Sequence, residues 1–496
     1  MAIAKVCGLE TEFGIVVRGA ENNPVTASAL LINAYVAEAM GSVGFDREDE
    51  SPEVDARGFR RALTLEPDPE VESMMANAVL TNGSRYYVDH AHPEISIPEV
   101  TDALEAVIWD RAGEEIVRRS MLAAGRALPD GAEIIVHKNN SDGKGHSYGC
   151  HENYLVDRAL PFGRVVGGVM SHFVTRQVFC GAGKVGCEAP GREPSDVEYQ
   201  ISQRADFFEE EVGLETTVKR PIVNTRDEPH CDPERYRRLH VIVGDANMSE
   251  TATFLKVATT ALLLAMVEDG WWDRIPLLAN PVSAIRQVSH DPSLRATIAL
   301  ADGRRATALE IQWGLLEAAR RYAGLHGLEP VGQAVGELAL AQWEEVLTGL
   351  EHDPESVADR VDWVAKRRML DAYSVRHGVG PGSDRLRAID LQYHDLRPER
   401  CLADRAGLRR LVDPLAVEAA VLDPPTTTRA YFRGRCVGKY GRSVVSANWD
   451  SIVFDLGHDP LRRVPMMEPL RGTRDHVGTV LDESPTAAEL IRRLGS

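Results

Sequence analysis

Seven cysteines in 496 residues (Cys7, Cys150, Cys180, Cys187, Cys231, Cys401 and Cys436) are too scattered to staple a chain of this length. None forms a Cys-x-x-Cys pair, so neither a disulfide framework nor a zinc knuckle is indicated, and reduced, buried thiols are expected. Long apolar runs are missing too. The most apolar stretch, residues 257–267, is about half of what a bilayer crossing needs. Residues 1–5 lack the charged-then-apolar layout of a signal peptide. These absences predict a cytoplasmic protein without membrane contact. Positive charge is in short supply: 56 Lys and Arg against 75 Asp and Glu leave a net charge of −19. A field of that sign repels polyanions, which argues against nucleic acid as a partner over any broad surface. The run Arg235, Tyr236, Arg237, Arg238 is either a local basic groove or an ordinary solvated face. No internal repeat or low-complexity tract is present.

What is present reads as a globular protein, with 44% hydrophobic and 26% charged residues. The length accommodates one large domain with a smaller one, or two to three of ordinary size. Residues 6–17 predict a strand, and residues 26–40 a helix ending at Gly41. Residues 45–70 are dense in charge and lack periodicity, which predicts a mobile loop. Strands are expected at 84–90 and 94–100, with a helix over 102–124. Residues 133–139 and 147–156, joined by Asp142-Gly143-Lys144-Gly145, predict a β-hairpin. A strand at 238–244 leads into a helix over 249–268, and helical spacing dominates 307–370. Pro424-Pro425 marks the best boundary, giving a domain over 1–422 and a small one over 423–496. Strands followed by long helices predict an α+β fold with a mainly antiparallel sheet.

Alternate strand residues share a face. In GLETEFG this puts Glu10 and Glu12 together, either solvated or gathered around a cation. In SRYYVDHAHPEIS, Arg85, Tyr87 and Asp89 share a face, and Glu94 and Ser96 alternate against Ile95 and Ile97. An arginine, a phenol and carboxylates on one sheet face suit a hard divalent ion with a phosphate chain, because magnesium takes oxygen ligands and arginine grips phosphate as a fork. Ser147, Gly149, His151 and Asn153 add a further row, and Arg238 and His240 another. Arg226 in NTRDEPH is either an anion clamp or one half of a loop ion pair with Asp227 or Glu228. Two motifs are decoys. GAGKVG at 181–186 matches a dinucleotide fingerprint, but the CEAPGREP that follows it cannot supply the helix such a site needs. His90-Ala91-His92 resembles a zinc motif, yet no later segment supplies the remaining nitrogen ligands.

The blocks GLETEFG, NGSRYYVDHAHPE, GCHENYLV, NTRDEPHCDPERYRRLHVIVGDANMSE and PPTTTRAYFRG resemble the Dop/PafA family, from Gly8 to near the C-terminus. The resemblance implies a glutamine-synthetase-like large domain with a small C-terminal domain, acting on the protein tag Pup. The ligase branch joins Pup to lysines. The other branch deamidates the C-terminal glutamine of Pup to glutamate and cleaves Pup from pupylated proteins in the proteasome pathway. The charged insertion with its ESPEVDARGF core and the spelling Asp89-His90-Ala91-His92-Pro93-Glu94 favour the hydrolytic branch, with the Pup ligase as the alternative. Ile95 departs from the aromatic residue expected there. By resemblance, Asp89 is the catalytic carboxylate. Glu10, Tyr87 and Glu94 surround Mg2+, with Glu12, His151 and His240 beside them, and Arg85, Ser96 and Trp449 contact ATP. Arg226 or Arg238 would steady negative charge developing on the substrate.

Overall fold

In the computed structural model, residues 1–38, 41–48, 50–61, 76–457 and 460–495 are described. A ten-stranded sheet organises the chain. Its order is Tyr236–Val241, Cys150–Asp157, Cys7–Glu12, His92–Ser96, Arg85–Asp89, Asn77–Leu80, Ser42–Phe45, Val444–Ala447, Ser451–Phe454 and Arg462–Pro465. Neighbours in this sheet run antiparallel except for one pair: Ser42–Phe45 lies parallel to Val444–Ala447, setting Gly44 opposite Ser446. The fold is therefore α+β with a mainly antiparallel sheet.

One face of the sheet is apolar and covered by helices. Leu9, Tyr86, Val88 and Ile95 pack there against Pro24–Glu38 and Ala103–Gly125, within a single large buried cluster. Tyr86 illustrates the fit: its hydroxyl donates to Ser120 Oγ at 3.2 Å and its ring meets Tyr35 edge-on. Ile95 belongs to this face, where a Cβ on Gly113 would sit 3.4 Å from its Cγ2. That close packing accounts for a branched aliphatic residue here. The Ala103–Gly125 helix starts where Asp102 accepts hydrogen bonds from the amides of Leu104 and Glu105, an N-cap that satisfies otherwise orphaned donors. The Glu250–Glu268 helix, capped by Ser249, is long and apolar enough by composition to cross a membrane, but it is buried inside the protein.

The C-terminal segment adds a second apolar cluster, in which Phe432, Val437, Ile452, Phe454, Leu481 and Leu490 enclose Val43 and Val79 from the N-terminal strands.

Three expectations are corrected. The hairpin over 133–156 does not form. Glu133–His137 pairs instead with Gly14–Arg18 in a separate two-stranded sheet, and Cys150–Asp157 inserts between Cys7–Glu12 and Tyr236–Val241. The turn between them does close locally, since Asp142 accepts from the amides of Lys144 and His146, but the flanking strands diverge beyond it. For the same reason the strand over 6–17 divides at Phe13. At Gly14 a Cβ would lie 2.5 Å from the Tyr148 hydroxyl and 2.7 Å from Asn139 Oδ1, so any larger residue would have to displace both side chains. Finally, the loop over 45–70 is not wholly irregular. Phe45 ends a sheet strand, and Val54–Asp55 and Phe59–Arg60 form a small hairpin. The half-buried Val54 and the buried side-chain anchor at Asp55, described below, offset part of its ordering cost. Residues 49 and 62–70 of that stretch lie outside those described.

Candidate active site

The uncovered face of the sheet carries the polar residues, and register alone brings them together. One row across the strands runs His151, Glu10, Ser96, Arg85; the next runs Glu12, Glu94, Tyr87, Asn77. Asp89 stands opposite His92 at the strand end, and Asn153 opposite His240 on the other flank.

These side chains gather into two groups, in each of which the ligand atoms lie within 4.8 Å of one another: Glu10, His151 and His240, and Glu12, Asp89 and Glu94. His151 stands between them, its Nδ1 3.5 Å from Glu10 and its Nε2 3.8 Å from Glu12. Gly149 makes this possible, because a Cβ there would lie 2.1 Å from His151 Nε2.

Electrostatics separate the two groups. Burial opposes ionisation of Glu10, but the His151 hydrogen bond and the nearby cationic groups outweigh it and hold the carboxyl well below its ordinary range. Burial, reinforced by Arg238 and His151, pushes His240 far down, so it is a neutral imidazole with a lone pair to offer. The ionisation of Glu10 therefore rests on His151 and Arg238. Glu12 is held at about 2: burial is overcome by His92, His151 and the Gly149 amide, which donates to its Oε1 at 2.8 Å. Glu94 goes the other way. Burial and the negative charges of Asp89, Glu12 and Glu10 raise its pKa well above the usual value. Tyr87, buried beside it, is likewise pushed up and stays a neutral phenol. Asp89 is the exposed member at 38%, its Oδ2 2.9 Å from His90 Nδ1. His90 adopts a left-handed backbone (φ 51°) that is strained for a residue with a Cβ. The Asp89 hydrogen bond raises its imidazole to about 9.

Three acidic oxygen donors, with the like charge that falls on Glu94 not offset, fit a hard cation such as Mg2+, which would supply the missing charge. The two-nitrogen, one-oxygen group also has the donors of a metal site.

Beside these groups a cleft opens between the sheet and the C-terminal segment. Glu10, Ser96, Asn153 and Arg238 line it from the sheet, Pro229 and His230 from a loop, and Glu99, Arg429, Trp449 and Pro469 from the far wall. Arg238 is committed within it: it donates to Asn153 Oδ1 at 2.8 Å and to the Glu228 carbonyl at 2.6 Å. The Arg226 Nε is buried with no hydrogen-bond partner, an orphaned donor that an anion would satisfy. Among the described residues Arg226 forms the loop ion pair with neither Asp227, which binds Arg158 and Arg237, nor Glu228, which binds Arg238. The run at 235–238 is no free basic groove either, since Arg235 meets Glu468, Arg237 meets Asp227, and Arg238 meets Glu10 and Glu228.

Several residues around the site carry no periodic signal. Glu50 pairs with Arg85 at 3.1 Å, the Ser51 amide donates to Glu228, and Asp55 accepts from Thr225 Oγ1 at 2.6 Å, so the start of the charged insertion is fastened across the NTRDE segment. Arg204, buried, donates to the Tyr148 carbonyl, and Arg220 to the Ser147 carbonyl; Glu12 acts on both through charge.

A family model described as Pup-ligase protein matches residues 5–453. The chain is 51% identical to the depupylase of Acidothermus cellulolyticus and 46% identical to the Pup deamidase/depupylase of Mycobacterium tuberculosis, each match covering 99% of both chains. Two solved structures are similar in fold. The Pup ligase PafA in complex with Pup superposes with a TM-score of 0.79 at 31% identity, covering 97% of this chain and 92% of that one. PafA in complex with ADP gives 0.74 at 32%, covering 88% and 98%.

Proposed function

Because the chain belongs to the Pup-ligase protein family, we propose that it is the hydrolytic kind of Pup-modifying enzyme. It deamidates the C-terminal glutamine of Pup to glutamate and cleaves the isopeptide bond that links Pup to lysines of tagged proteins. One observation carries this choice over ligation: identity of 51% and 46% to hydrolases over 99% of the chain, against at most 41% over about four fifths of it to Pup–protein ligases.

Nucleotide binding is supported by the cleft at the sheet edge and by the ADP complex of a relative. ATP and Mg2+ are the cofactors we assign. The oxygen group Glu12, Asp89 and Glu94 would hold the cation, with Tyr87 beside it and Glu10, His151 and His240 as a second set. Arg85, Ser96 and Trp449 would hold the nucleotide, Trp449 coming from a small domain over residues 423–496. When bound, these groups supply positive charge where the substrate oxygen becomes negative.

The chain's own residues supply the rest. His90 fixes the orientation of the Asp89 carboxylate through its hydrogen bond. Asp89 attacks the amide carbon, the C–N bond breaks as a solvent water gives its proton to the leaving amine, and hydroxide opens the anhydride; or Asp89 orients the water that attacks, whose proton passes to the amine as the C–N bond breaks. Arg226, with a donor to spare, steadies the developing oxyanion, whereas Arg238 is already engaged by Asn153 and Glu228.

The test uses three substrates with ATP and Mg2+: Pup ending in glutamine, Pup ending in glutamate, and a Pup–protein conjugate. Hydrolysis of the first and third is the expected result. Ligation of the glutamate form without hydrolysis would assign the chain to the ligase branch.

A further inference from the structure

Five side chains from three distant segments form one continuous stack from the C-terminal segment to the metal-binding face. The Arg433 guanidinium lies 5.0 Å from the Trp449 ring centroid, and Trp449 meets Phe45 edge-on at 5.9 Å. Arg85 then lies 3.8 Å from the Phe45 centroid and 4.0 Å from that of Tyr87. Cations and aromatic rings alternate at both ends, with Phe45 at the centre.

The backbone puts Phe45 there. It ends the Ser42–Phe45 strand, opposite Ala447, and the next amide, Asp46, donates to the Ala447 carbonyl at 2.9 Å. Trp449 follows just beyond on the partner strand. Arg85 has its Nε bound by Asn77 Oδ1 at 2.9 Å and its Nη1 by Glu50, so these contacts direct its edge while Phe45 and Tyr87 set its plane. A guanidinium held between two rings and bound at its edge loses little further freedom when it meets a phosphate.

We propose that Phe45 is a positioning residue for nucleotide. Its ring sets the plane of Arg85 on one side and the tilt of Trp449 on the other, so that both reach the same ligand. This rests on the reading of Arg85 and Trp449 as nucleotide contacts. Phe45 touches no reacting atom, so its effect belongs in nucleotide affinity and not in the rate at saturation.

Two replacements separate electronics from volume. Pentafluorophenylalanine at position 45 keeps the ring's shape but removes electron density from its face. Phe45→Leu removes the ring. Measured by titration calorimetry with ADP and Mg2+, both should raise Kd by about tenfold. Phe45→Tyr should stay within about twofold of the natural chain, and kcat for Pup deamidation at saturating ATP should change less than about twofold in all three. The fluorinated ring leaves packing intact, so its result stands even if Phe45→Leu does not fold. Unchanged ADP affinity with the fluorinated ring overturns the role of Phe45 while the proposed function stands. Failure of the natural chain to bind ADP overturns that function and this inference with it.

Discussion

Glu94, buried, and Glu99, mostly buried on the cleft wall, lie close together in the chain, yet their surroundings drive them in opposite directions. Glu94 faces Asp89, Glu12 and Glu10, and burial together with like charge raises its pKa well above normal. Glu99 is held at about 2, because Arg433 and Arg429 more than offset its burial. Arg429 Nε donates to Glu99 at 2.6 Å, and Arg433 binds the other oxygen while also donating to the Gly83 and Trp449 carbonyls. The difference separates two uses of a buried carboxylate. Glu99 is complete within the protein and joins the C-terminal segment to the sheet. Glu94 is left for a partner the chain does not contain.

The comparison breaks first at its catalytic end. Asp89→Asn keeps the size of the side chain and removes a charge from the Glu94 side. Both hydrolytic activities should fall by at least about a thousandfold while ADP affinity is retained. Near-normal turnover would remove Asp89 from its role.

At Glu99 the loss should appear in stability. Glu99→Gln strips two buried arginines of their counter-charge and should cost about 3–5 kcal/mol in urea unfolding. Because the folded carboxyl titrates near 2 rather than at its ordinary 4.5, the stabilisation is complete above the ordinary value and disappears as pH falls toward 2. The gap between natural chain and variant should therefore close over that range. A gap independent of pH would mean that packing, and not charge, holds this joint.

Glu94 should give the smallest effect and the opposite sign. Its folded-state pKa lies above the unfolded value, so its contribution favours folding at low pH and is lost as pH rises through the folded value. Metal-free protein should gain stability on acidification from pH 7 toward 5, by at most about 1.4 kcal/mol per pH unit. Saturating Mg2+ or Glu94→Gln should flatten that slope. An identical slope in the variant would mean that Glu94 does not carry the repulsion.

Much of this site was legible in the sequence because strand geometry has a period of two. Counting alternate residues placed Glu10 with Glu12, Arg85 with Tyr87 and Asp89, and Glu94 with Ser96, and the register sets those rows side by side. Pairing itself was not legible, since the partner of Glu133–His137 is a strand over a hundred residues earlier and no local pattern encodes it. Glu50, Phe45, Glu99, Arg204 and Arg220 escaped notice for a related reason. They reach the site from loops and strand ends, where neither helical nor strand periodicity marks a direction. Trp449 could be assigned only by resemblance, because an isolated tryptophan between two strands reads as core until its neighbours are known.

The parallel contact between Ser42–Phe45 and Val444–Ala447 has a consequence for how the molecule comes into being. During synthesis the Ser42–Phe45 strand emerges early, but the edge it presents is closed only after nearly the entire polypeptide has left the ribosome. Until then its backbone donors and acceptors are open to other chains, a known route to aggregation. Fragments ending before residue 444 should inherit that exposed edge permanently, so a shortened chain is expected to be sticky as well as inactive.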